Sequence, residues 1–129
     1  MPQPSILIVD DELLIRDLLY DFFTGQGWDT AIADSGEKAL EILQRRSVDL
    51  VLADIRMPGI DGLELTAELR ELRPGLPVVL MTGYPSVDTA VAALRHRVAD
   101  YVTKPFNINN LYKIVEAQVA AKEATAKSE

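Results

Sequence analysis

Leu50-Val51-Leu52-Ala53-Asp54-Ile55-Arg56-Met57-Pro58-Gly59-Ile60-Asp61-Gly62 decides how this 129-residue chain is read. Four apolar residues run without polar alternation and stop at a carboxylate. That is the pattern of a parallel strand covered on both faces. Pro58 and Gly59 then force a turn. Asp61 and Glu64 stand at capping-box spacing ahead of Leu65, Leu69 and Leu72, so a helix follows the strand and Pro74 closes it.

The same strand-then-helix unit recurs on either side. Ser5-Ile6-Leu7-Ile8-Val9 stops at Asp10 and Asp11; Val78-Val79-Leu80-Met81 stops at Thr82; Tyr101-Val102-Thr103 stops at Lys104. Ala31-Ile32-Ala33, preceded by Trp28, is the weakest strand candidate. Between them, Leu14, Leu18, Leu19 and Phe22 form a helical stripe ended by Gly25 and Gly27. Ala39, Leu40 and Leu43 mark a second helix with Ser35 or Asp34 as N-cap. Ser86 caps a segment whose Val87, Ala90, Val91 and Leu94 are expected mostly in the core. Asn107 caps the last helix, with Leu111, Ile114, Val115 and Val119 on one face. These units predict a doubly wound α/β domain over residues 1–122. A polar tail at 123–129 is expected to fray.

Bulk properties narrow the function. Hydrophobic residues make up 48% and charged residues 26%, an ordinary globular balance. A net charge of −7 opposes binding to DNA or anionic lipid, so no direct nucleic acid contact is expected of this domain. Absent cysteines exclude disulfides and thiolate metal sites. No signal peptide or membrane-spanning apolar run is evident, which makes the cytoplasm the expected location.

The chemistry lies where the strands stop. In an open parallel sheet the carboxyl ends of the strands share one edge, where such folds hold ligands. Asp10, Asp11 and Asp54 would meet there with Thr82 and Lys104. Three packed carboxylates repel one another, and a hard divalent cation resolves the conflict. A carboxylate beside that cation and an ammonium is placed to attack a phosphoryl group. Taken singly, each residue has a plainer reading: Lys104 as a surface lysine, Tyr101 as core, Gly59 and Gly62 as turn residues, His96 as an exposed loop residue. Only the joint pattern raises them.

Val9-Asp10-Asp11-Glu12, Asp54 through Gly62, Met81-Thr82-Gly83-Tyr84 and Asp100 through Phe106 resemble the motifs of response-regulator receiver domains, in order and across nearly the whole chain. The stretch from Met81 to Phe106 is most similar to receivers of transcriptional regulators. The resemblance implies a flavodoxin-like five-stranded parallel sheet, order 2-1-3-4-5, with five helices. It also implies a phosphorelay switch in which Asp54 accepts a phosphoryl group from a sensor histidine kinase or a histidine phosphotransfer protein. By the same resemblance Asp11 and Asp54 ligate Mg2+ directly, Asp10 acts through water, and the Arg56 carbonyl completes the set. Lys104 and Thr82 contact the phosphoryl oxygens, Tyr101 turns inward as Thr82 moves, and the Lys104-Pro105 bond is cis. Output passes through the fourth helix, fifth strand and fifth helix to an effector domain or protein, and a homodimer on phosphorylation is a further expectation. Arg56 and Tyr84 flank the phosphoryl position. Where the family usually carries a glycine after the fourth helix, this chain has Arg97, expected at positive φ.

Other functions fit less well. A phosphohydrolase with an aspartyl-phosphate intermediate would typically carry an aspartate two positions after the nucleophile, where Arg56 stands. An FMN-binding module would need a phosphate loop after the first strand, where Asp10 and Asp11 stand instead. A receiver-shaped module used purely for binding would not need the acceptor, lysine and acidic pair together.

Overall fold

The computed structural model describes residues 3–128. Strands and helices alternate as β1 (Ser5–Val9), α1 (Leu13–Gly25), β2 (Asp29–Ala33), α2 (Gly36–Arg45), β3 (Leu50–Asp54), α3 (Gly62–Leu72), β4 (Val78–Thr82), α4 (Val87–Arg95), β5 (Asp100–Thr103) and α5 (Ile108–Ser128). All strand pairs are parallel and the order is β2-β1-β3-β4-β5, as expected. Met1, Pro2 and Glu129 lie outside the described residues.

The apolar runs of β1, β3 and β4 are buried on both faces, whereas the edge strands β2 and β5 are partly exposed. Successive residues divide between two cores because strand side chains alternate sides. Leu7, Val9, Val51, Ala53, Val78 and Leu80 face a core shared with Ala39 and Leu43 of α2 and Leu65 and Leu69 of α3. Ile6, Ile8, Leu50, Leu52, Val79 and Met81 face the other, with Leu19 and Phe23 of α1 and Leu111 and Val115 of α5. Trp28 closes this second core at the edge of the sheet, donating its indole N–H to the Tyr112 hydroxyl at 3.1 Å.

Helix starts follow the cap residues. Ser35 rather than Asp34 caps α2, accepting from the Lys38 N–H. Asp61 and Glu64 form the reciprocal capping box of α3. Ser86 caps α4 with Thr89 as its box partner, and Asn107 accepts from the N–H groups of Asn109 and Asn110. The segment after residue 122 continues α5 as far as Ser128. Once Leu111, Val115 and Val119 anchor the helix, each further residue adds a hydrogen bond without a new nucleation cost, and the alanines favour it.

Two helix faces differ from the sequence expectation. In α1, Leu14 and Leu18 are exposed, while Leu19 and Phe23 are buried with Ile15 and Phe22 packed against them. Apolar residues surround much of that helix, so periodicity alone did not choose a face. In α4, Val87, Val91 and Leu94 are exposed and Ala93 is the buried residue. His96 lies in the turn that follows α4, as its C-cap, and is half-buried rather than exposed. Gly59 has φ +74 and serves the turn, but Gly62 serves close packing: a Cβ there would collide with the Asp54 carbonyl oxygen.

Arg97 adopts φ 57, in the left-handed region. Burial lowers the pKa of nearby Arg70, and the Arg97 charge lowers it further. Arg97→Gly relieves both the backbone and the charge conflict. It is expected to stabilise the domain by about 0.5–1 kcal/mol, read as a higher urea midpoint at unchanged m. A lower midpoint would show that Arg97 makes a compensating contribution.

Candidate functional site

Strand register assembles the site. Val9 of β1 pairs with Ala53 of β3, so the next residues, Asp10 and Asp54, stand side by side although 44 positions apart. Asp54 pairs in turn with Met81, and Thr82 with Thr103. The Lys104 N–H donates to the Thr82 carbonyl at 2.7 Å, which fixes the start of the lysine side chain beside β4.

From there the Lys104 ammonium reaches across the strand ends. Its Nζ donates to Asp54 Oδ2 at 3.0 Å, to Asp10 Oδ2 at 3.0 Å and to Glu12 Oε1 at 3.3 Å. Asp10 is fully buried and Asp54 is 4% exposed. Burial would lower the Lys104 pKa, but hydrogen bonds and charge from Asp54 and Asp10 outweigh it and hold the ammonium above its ordinary range. The Asp10 pKa is raised. Burial is the main cause, opposed by the Glu12 N–H and by Lys104 and reinforced by Asp54.

Backbone groups fix both buried acids. Asp10 Oδ1 accepts from the Glu12 N–H at 2.9 Å, and the Arg16 guanidinium donates to the Asp10 carbonyl at 3.0 Å. Asp54 Oδ1 accepts from the Arg56 N–H at 3.2 Å. Thr82 is buried, and its Oγ1 accepts from the Tyr84 N–H at 3.0 Å. A hydroxyl keeps its own hydrogen when it accepts, so Thr82 retains a donor for an anion. The Arg56 guanidinium lies 4.4 Å from the Tyr84 ring centroid. The Lys104-Pro105 peptide is cis.

Carboxylate oxygens of Asp10, Glu12 and Asp54 lie within 4.8 Å of one another. Three carboxylates against one ammonium leave an uncompensated negative charge, which a hard divalent cation with oxygen ligands would neutralise. The donor set therefore fits a metal. Asp11, expected as a direct ligand, is exposed and stands outside this group. Glu12 takes a place that the sequence reading did not give it, although a third consecutive acid at the same strand end was visible. Thr89 was also missed. Its Oγ1 lies 2.8 Å from the Tyr101 hydroxyl while it closes the α4 capping box.

Residues 6–116 match the response regulator receiver domain family. The chain belongs to that family. As a receiver domain it is a signalling module of two-component response regulators. It is 42% identical over 116 residues to the transcriptional regulatory protein ZraR of Escherichia coli O157:H7, covering 90% of this chain and 26% of ZraR. The solved receiver domain protein of Methanospirillum hungatei JF-1 superposes with a TM-score of 0.93 at 29% identity, covering 96% of this chain and 99% of that one. NtrX of Brucella abortus gives 0.91 at 33% identity, covering 98% of this receiver domain and 29% of NtrX. The receiver domain thus spans about a quarter of the length of the curated relatives it matches. Among its described residues no helix is long and apolar enough to cross a membrane.

Asp10 supplies a direct test of the electrostatics. An acid whose folded pKa is raised loses folding stability as pH climbs through that pKa, because the fold disfavours its charged form. Without divalent cations, Asp10→Asn is therefore expected to stabilise the receiver domain at neutral pH, read as a higher melting temperature. Mg2+ should then raise the melting temperature of wild type more than that of the variant. A destabilised variant would mean that the Lys104 pairing outweighs burial.

Proposed function

We propose that this receiver domain is a phosphoacceptor switch in which Asp54 takes a phosphoryl group from a phosphohistidine on a sensor kinase or histidine phosphotransfer protein. The observation that carries the reading is a buried strand-end carboxylate, Asp54, sharing the Lys104 ammonium with a second buried carboxylate, Asp10. An Asp54 carboxylate oxygen attacks phosphorus as the donor P–N bond breaks, and the bonding electron pair stays on the imidazole nitrogen. With acetyl phosphate the P–O bond breaks and acetate leaves. In dephosphorylation a water oxygen attacks phosphorus, the bond from phosphorus to the Asp54 oxygen breaks with its electron pair returning to the carboxylate, and orthophosphate departs. The domain catalyses these steps on itself and turns over no outside metabolite.

Lys104 donates to the phosphoryl oxygens, and the free Thr82 hydroxyl hydrogen serves another of them. Asp54 and Asp11, with Asp10 through water and the Arg56 carbonyl, would hold Mg2+, and Glu12 is a further oxygen donor beside them. When bound, Mg2+ neutralises charge on the transferring oxygens. Thr82 and Tyr101 form the switch: Tyr101 is half-buried and its hydroxyl meets Thr89 of α4, so its movement would change the α4–β5–α5 face. The exposed Val87, Val91 and Leu94 of α4 give that face apolar surface for an effector domain or protein, or for a second copy on phosphorylation. We assign the receiver to residues 1–122, with 123–129 as a C-terminal extension, and place it in the cytoplasm without membrane or nucleic acid contact of its own.

Incubation with acetyl phosphate and Mg2+ should add one phosphoryl group by intact mass, which hydroxylamine removes. Asp54→Asn should abolish the gain. Uptake that survives Asp54→Asn places the acceptor elsewhere.

The Arg56–Tyr84 stack bears on how long the acyl phosphate lasts, because its bulk restricts attacking water. Arg56→Ala and Tyr84→Ala should each speed dephosphorylation severalfold. The double variant should fall short of the product of the two effects, since a stacked pair is lost once. Unchanged rates would remove the pair from the mechanism.

A further inference from the structure

We propose that Glu12 is a positioning residue that holds the third hydrogen of the Lys104 ammonium until a phosphoryl oxygen replaces it. The inference rests on Asp54 as acceptor. An ammonium has three N–H donors, and those of Lys104 go to Asp54, Asp10 and Glu12. A phosphoryl oxygen arriving at Asp54 needs one of them, so a present partner must leave.

The three partners differ in what leaving costs. The Asp10 side chain is fully buried, and without Lys104 it would be a charge stranded from water. Asp54 is the group being modified. The Glu12 side chain is 60% exposed and can be hydrated as soon as it lets go. Its bond is also the longest of the three, at 3.3 Å against 3.0 Å.

The main chain of Glu12 is fixed, while its exposed side chain reaches out to Lys104. Its N–H donates to Asp10 Oδ1, and its carbonyl accepts the Arg16 N–H at 3.0 Å to open α1. Glu12 occupies the N-cap position of α1, yet its side chain makes no cap hydrogen bond there. Ser, Thr, Asp and Asn are the preferred N-caps. Here the side chain is turned across to Lys104 instead, along the wall of a cleft of about 550 Å³ that it shares with Gly83, Tyr84, Lys104 and Phe106. Glu12 therefore keeps the lysine extended over Asp54 in the unmodified state. The same carboxylate also adds negative charge where an anionic donor must approach.

Removing that charge should speed modification. At fixed saturating Mg2+ and low ionic strength, Glu12→Gln and Glu12→Ala are expected to gain the phosphoryl group from acetyl phosphate about three- to tenfold faster than wild type, with the difference shrinking as salt screens it. Both should bind beryllium fluoride, a non-transferable phosphoryl mimic, more tightly by a similar factor, followed through the Arg56 amide resonance. Glu68→Gln, an exposed acid on α3, controls for net charge and should match wild type. Wild-type rates and mimic affinity in both Glu12 variants, or slower uptake with weakened Mg2+ binding, would overturn the placeholder role. A wild type that gains no phosphoryl group at all would instead overturn the reading of Asp54, and this inference with it.

Discussion

One ammonium set among three carboxylates is the constraint that orders the rest of this structure. Lys104 sits at the end of an edge strand, whereas Asp10 and Asp54 stand at the ends of two adjacent interior strands. Its side chain can bridge them only if the strands are parallel, in register, and end together at one edge. The buried apolar runs of β1, β3 and β4 supply that rigidity, since every residue of β3 and β4 is buried. A buried acid pair would be costly without a cation, and the lysine alone does not balance the charge. The fold therefore carries an excess of negative charge at its functional edge, which a hard divalent cation would neutralise.

Packing at the end of β3 gives the acceptor little freedom. The Gly62 N–H donates to the Ile55 carbonyl at 2.8 Å, and the missing Cβ lets α3 begin against the Asp54 backbone. On the far side, the Ile55 N–H donates to the Met81 carbonyl at 2.9 Å. Two pairs of contacts lie beyond the end of β4. The Thr82 hydroxyl holds the Tyr84 amide, and the Tyr101 hydroxyl meets Thr89, whose own oxygen lies 3.0 Å from Ser86 Oγ in the α4 cap. A displacement of the Tyr101 hydroxyl would thus be felt at the first turn of α4, whose Val87, Val91 and Leu94 are exposed.

The sequence made the strands, most caps and the convergence at the sheet edge legible, because each depends on local pattern. Apolar runs name buried parallel strands, Asp61 and Ser86 stand at cap spacing, and Arg97 interrupts a position that favours glycine. Helix faces were harder. α1 carries apolar residues around much of its circumference, so Leu14 and Leu18 looked as core-like as Leu19 and Phe23. In α4 the sheet is met by a small residue, Ala93, while larger ones point outward. Within the site, Asp10, Asp54, Thr82 and Lys104 converge as their strand ends required. Which neighbour of Asp10 joins them is a matter of side-chain direction just beyond the strand, and there Glu12 turns in while Asp11 faces solvent. Sequence spacing holds no signal for that choice.

The central claim is that acids from β1 and β3 and the lysine after β5 form one metal-assisted anion site. Anomalous diffraction from crystals grown with Mn2+ as a stand-in for Mg2+ tests it most directly. The account predicts a single ion at the carboxyl ends of the strands, ligated by Asp54 and by an acid of the 10–12 segment, with the Lys104 ammonium alongside. No ion there at saturating Mn2+, or one bound without Asp54, would contradict it.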